Sequence, residues 1–117
     1  MSETEHTPTL FEKIIEGELP SEKVFENEHL VAFKDIHPVA PVHILIVPRK
    51  AIPDFQSIEK DDLFLLQELG KVAQHLAKEF DIADGYRLLT NIGPQAGQTV
   101  FHLHFHLIGG RRLGPLA

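Results

Sequence analysis

The chain contains no cysteine, no excess of basic residues, no internal repeat and no apolar run near the length of a membrane span. Each absence closes off a class of function. Without cysteine there are no disulfides and no thiol chemistry, and the compartment is not decided by redox usage. Spanning a bilayer as a helix takes about 20 consecutive apolar residues, which the chain nowhere supplies. The N-terminus has no secretory signal, so a cytoplasmic location is the default expectation. With 11 basic against 17 acidic residues the formal charge is −6, which argues against wrapping a nucleic-acid polymer, because that needs a basic surface to displace counterions. A single nucleotide needs only a few local donors and stays open. At 117 residues, with ordinary apolar and charged fractions, the chain is long enough for one small core.

What the chain has is histidine, eight in all. Three of them lie in Val100-Phe-His-Leu-His-Phe-His-Leu-Ile108, where His102, His104 and His106 alternate with Phe101, Leu103, Phe105 and Leu107. Strict alternation has period two and predicts a β-strand, with the imidazoles on one face and four large apolar side chains in a core. Such a row has three readings. Two of the imidazoles, with His43 from elsewhere, can ligate a metal, although at about 3.3 Å per residue the first and third start too far apart to share one ion easily. The row can be a polar strand face with no chemistry. Or one neutral imidazole can attack an electrophile while its neighbours orient it and hold anionic oxygen. The third reading needs an anion-binding loop, and Asn91-Ile-Gly-Pro-Gln-Ala-Gly-Gln-Thr99 stands immediately upstream. By itself this loop reads as a turn between strands; Gly97 can let a phosphate approach the backbone, and successive N–H groups can form a nest.

In chain order, residues 1–8 read as a mobile lead in which His6 is inert, and residues 9–117 as a single domain. Leu10, Phe11, Ile14 and Ile15 have helical spacing, with Thr9 or Thr7 as cap and Gly17 and Pro20 as terminators. Two short strands flank Asn27-Glu28. Lys34 to Pro41 is a proline-rich loop in which Asp35 is a candidate turn former. Val42 to Pro48 reads as a central strand covered on both faces, and Arg49-Lys50 as a solvated basic turn. One long helix is expected over Asp61–Phe80, burying Leu63, Leu66, Leu69, Val72, Ala73, Leu76, Ala77 and Phe80, with Gly70 marking close packing. Asp84-Gly85 closes it, and Tyr86 to Asn91 is a fourth strand before the histidine strand. No βαβ unit is visible. The expected fold is therefore α+β: a five-stranded antiparallel sheet with one long and one short helix on one side.

His102-Leu-His-Phe-His-Leu-Ile108 resembles the His-φ-His-φ-His-φ-φ signature (φ apolar) of the histidine triad family. The stretches Phe11–Pro20, Ala32–Pro38, Ala40–Pro48 and Gly97–Val100 resemble its Hint branch, the purine nucleoside phosphoramidases, in the family's order. The resemblance implies a HIT-like fold and a homodimer. It implies cleavage of the P–N bond of purine nucleoside 5′-phosphoramidates through a nucleotidyl-histidine, with His104 as nucleophile and His102, His106 and His43 as supporting catalytic groups. It implies a nucleotide site formed by Leu10, Phe11, Ile14, Phe33, Asp35, Ile36, Leu45, Asn91, Gly97, Gln98, Thr99, His104 and His106, with Asp35 on the ribose hydroxyls and neither metal nor cofactor. Two departures stand out: Thr99 replaces a serine found in several relatives, and the tail after Ile108 lacks the tryptophan that many relatives carry. Rival expectations are cleavage of dinucleoside polyphosphates or aminoacyl adenylates, a nucleotide-binding regulatory protein with a vestigial row, and a zinc-binding module.

Overall fold

The computed structural model describes residues 7–116, so His6 and most of the expected mobile lead lie outside the described residues. Helix α1 (Leu10–Ile15) is short but strongly capped: the Thr9 hydroxyl accepts from the Glu12 N–H while the Glu12 carboxylate accepts from the Thr9 N–H. This reciprocal box satisfies two of the N–H groups that every helix start leaves without partners.

Strands β1 (Lys23–Glu26), β2 (Leu30–Lys34), β3 (Val42–Pro48), β4 (Tyr86–Leu89) and β5 (Phe105–Gly109) form one sheet of order β1-β2-β3-β5-β4, antiparallel throughout. The fold class expected from the sequence is therefore present. Asn27 closes the first hairpin, its side-chain oxygen accepting from the N–H groups of His29 and Leu30. Central strand β3 is buried from His43 to Pro48, as its β-branched run requires.

The helices are not on one side of the sheet. Leu30, Ala32, Ile44, Ile46 and Leu107 pack with Leu69, Val72, Ala73, Leu76 and Ala77 of α2 (Phe64–Glu79). Val31, Phe33, Leu45 and Val47, which alternate with the first set, pack on the opposite face with Phe11 of α1. The two faces carry different work. The α2 face is the main core, where each fully buried Leu, Ile or Val contributes roughly 1.5–3 kcal/mol. The α1 face holds the sheet side of a cavity.

Helix α2 begins later than its apolar pattern suggests. Lys60–Asp62 is a separate 3₁₀ turn, so Leu63 is exposed and Leu65 takes the buried place. Asp62 is buried in an ion pair with Lys50 at 2.8 Å, and Arg49 bonds Glu26 and the Asn27 carbonyl, so the expected basic turn, exposed at Lys50, is also paired on both residues. The helix ends at Glu79, one residue short of the expected Phe80, which caps it, and Asp81 follows in the left-handed conformation (φ 59°). Gly70 marks no close packing, since a Cβ there meets nothing within 4 Å.

Candidate active site

The histidine segment is a strand only in part. Its ladder begins at Phe105, opposite Ile46, and at His106, opposite Leu89. Upstream the chain leaves the sheet: the Leu103 N–H donates to the Ile52 carbonyl, and Leu103 packs with Ile52 and Leu65. His102, Leu103 and His104 are consecutively buried while Phe101 is exposed, so strict alternation fails there. The cause is cover from several directions, which removes the two-faced environment that alternation reports.

The three rings accordingly do not form one continuous row. His102 is turned away: its Nε2 bonds the Pro48 carbonyl at 2.7 Å and its Nδ1 the Thr9 hydroxyl at 2.9 Å. The ring of His104 stands edge-on to Phe11 at 4.8 Å and to His106 at 5.1 Å. His43, opposite Ile108 in the ladder, reaches His106 through an Nε2···Nδ1 contact of 2.9 Å. The rings brought together are those of His104, His106 and His43, with Asp35 Oδ2 3.4 Å from His43 Nε2.

The hydrogen bonds fix the proton on each neutral ring. His104 Nδ1 lies 2.8 Å from the His102 carbonyl, an acceptor only, so Nδ1 carries the proton and Nε2 keeps its lone pair. The Val39 N–H donates to His43 Nδ1, so His43 carries its proton on Nε2 and donates to His106 Nδ1. His106 is left with its proton on Nε2. Burial sustains these neutral states. Desolvation holds His104 and His43 below the ordinary histidine value against opposing pulls that include the Asp35 charge, and His106 is pushed down to about 4 by burial and then by its two histidine neighbours. The backbone of His104 is pinned as well, its carbonyl accepting from the Thr90 hydroxyl at 2.7 Å.

A cavity of about 560 Å³ opens onto this cluster. Leu10, Phe11, Ile14, Phe33, Asp35, Ile36, Leu45, Asn91, Gly97, Thr99, His104 and His106 all line it, so the structure gathers twelve of the thirteen expected binding residues around one space. The exception is Gln98. Its buried side chain accepts from the Gly93 N–H and donates to the Pro53 and Val100 carbonyls, which makes it the internal brace of the loop and not a wall of the cavity. Nor is the loop a ready nest over its whole length: the N–H groups of Gly97 and Gln98 already donate to the carbonyls of Pro94 and Gly93. Gly93 and Gly97 do adopt positive φ (84° and 92°), which glycine permits at little cost.

Asp35 is a turn former, its Oδ1 accepting from the His37 N–H, and its Oδ2 faces His43. Pattern reading did not find Leu19, Pro20, Ser21, Lys34, His37 and Val100, which complete the cavity wall; their nearness to the site follows from the chain path after α1 and carries no local signal. Asp35, His43 and His106 offer atoms within 4.8 Å of one another and could hold a metal ion, at the cost of the His43–His106 hydrogen bond.

Comparison with known proteins agrees with this geometry. The model of the HIT domain matches residues 16–113. A HIT-like protein of Chlamydia pneumoniae is 57% identical over 93% of this chain and 99% of its own length. The purine nucleoside phosphoramidase of Escherichia coli is 44% identical, covering 92% of each chain. Among solved structures, a HIT family hydrolase from Clostridium thermocellum superposes with a TM-score of 0.90 at 46% identity over 96% of this chain and 98% of that one. With His104 and His106 in the wall of a cavity lined by many apolar side chains and these likenesses along nearly its whole length, the chain belongs to the HIT-domain family.

Proposed function

We propose that the protein is a cytoplasmic, homodimeric hydrolase that cleaves the P–N bond of purine nucleoside 5′-phosphoramidates. The observation that carries the reading is His104: a ring held neutral in the wall of the cavity, its Nδ1 proton committed to the His102 carbonyl so that Nε2 keeps the lone pair, with apolar side chains and Asp35 lining the same space. Leu10, Phe11, Ile14, Phe33 and Leu45 suit a flat purine, and Asp35 suits ribose hydroxyls. The likeness to the E. coli phosphoramidase supports the same choice. Exposed Tyr86 and Leu88 on edge strand β4 support the dimer, which sedimentation velocity checks.

In the first step His104 Nε2 bonds to phosphorus as the P–N bond breaks, and the departing nitrogen takes a proton from solvent and leaves as the neutral amine. The cationic nucleotidyl-imidazole is stabilised by the His102 carbonyl at Nδ1. In the second step water attacks phosphorus and returns a proton to solvent, the P–Nε2 bond breaks, the nucleoside monophosphate is released, and His104 returns neutral. Thr99, Asn91 and His106 line the same cavity and offer donors for the phosphoryl oxygens.

Specificity constants measured side by side test the reading. Adenosine 5′-phosphoramidate is expected to exceed a dinucleoside polyphosphate and an aminoacyl adenylate. A preference for either of those replaces the substrate assignment, and nucleotide binding without turnover of any of the three overturns the enzyme reading in favour of a regulatory binder.

A further inference from the structure

We infer that Thr9 is a positioning residue that couples the base-holding helix to the nucleophile through His102; the inference rests on the reaction proposed above. Its hydroxyl has two partners at once. It accepts from the Glu12 N–H at 3.0 Å as the cap of α1, and it meets His102 Nδ1 at 2.9 Å. The direction of the second bond follows from the far side of the ring. Nε2 lies 2.7 Å from the Pro48 carbonyl, which can only accept, so in the uncharged ring Nε2 carries the proton, Nδ1 is the acceptor and Thr9 donates.

His102 is wholly buried and is joined to two parts of the site. Its side chain holds the first turn of the helix that presents Leu10, Phe11 and Ile14 to the cavity. Its carbonyl holds the Nδ1 proton of His104. A shift of α1 is therefore felt at the same residue that sets the orientation and tautomer of the attacking ring, and Phe11, 4.8 Å from His104 and 6.1 Å from His102, lies against both rings. A correctly seated purine presses on α1, and this linkage carries that contact to the attacking nitrogen. Threonine and serine can both cap the helix and donate to the ring, valine can do neither, and aspartate can cap but cannot donate.

The test compares Thr9→Ser, Thr9→Val and Thr9→Asp on adenosine 5′-phosphoramidate and on a ribose 5′-phosphoramidate that lacks the base, with ¹⁵N spectra of His102 recorded without substrate. Thr9→Ser is expected to keep near-wild-type kcat. Thr9→Asp keeps the cap and so keeps the fold, but should move His102 Nδ1 to a protonated ¹⁵N shift and lower kcat on the adenosine substrate by about tenfold to a hundredfold, with a smaller loss on the baseless one. Thr9→Val should lose both the cap and the base-dependent rate difference. Wild-type kcat in Thr9→Asp, or equal losses on both substrates with an unchanged His102 spectrum, overturns the coupling and leaves Thr9 as a helix cap alone. Failure of the wild-type protein to cleave the adenosine substrate overturns the parent reading instead, and the spectra separate the two failures.

Discussion

His104 differs from an ordinary buried histidine in having one nitrogen committed to a carbonyl and the other at a cavity wall. Its neighbours His43 and His106 are likewise held neutral by burial. The pH dependence follows. All three folded-state values lie below 6.5, so kcat/KM should stay flat from neutral pH down past 6.5 and fall only as these rings take up protons. An acid limb centred at or above 6.5 contradicts the burial argument. Stability carries the same sign. Between about 4 and 6.5 the unfolded chain binds a proton at His106 that the folded chain refuses, so this contribution to unfolding free energy weakens as pH drops through 6.5 towards 4. Urea titrations at several pH values, compared with His106→Asn, isolate it. At this scale the sequence was readable where residue type alone decides chemistry. The histidines and Asp35 could be picked out, while the outward-sounding amide of Gln98 could not be told from a loop brace, because that depends on carbonyls of Pro53 and Val100 that no local pattern brings together.

Among the elements, α2 is the one whose interior contains an evident weakness. Gly70 sits mid-helix with open space where a Cβ would stand, so Gly70→Ala should raise the unfolding free energy by up to about 1 kcal/mol, read from denaturant midpoints at unchanged m. A loss of stability would mean that the position is covered by something the monomer does not show. The long strands and the body of α2 were legible because a continuous environment acts on many residues at once. Their ends were not. Leu63 belongs to the apolar stripe by spacing, yet the Asp62–Lys50 pair and the 3₁₀ turn before it place Leu65 there. The same holds for the histidine strand, whose first half is drawn out of the sheet by Ile52, Pro48 and Thr9.

For the molecule as a whole, the antiparallel five-stranded sheet followed from the absence of any crossover unit, whereas the placing of α1 and α2 on opposite faces did not. A central strand buried on both sides demands two covers, and β3 is such a strand, so its composition already held that information. The consequence is functional, because the face opposite the main core is free to be hollow over His104 and His106. Whether that hollow supports covalent chemistry is tested most directly by mixing the protein with excess adenosine 5′-phosphoramidate, quenching with base within the first turnover, and locating the added mass by peptide mass spectrometry. One adenylyl group is expected on the peptide bearing His104, absent from His104→Ala, whose turnover falls by more than about 10³-fold. An adduct on another residue, or wild-type turnover in His104→Ala, would contradict it.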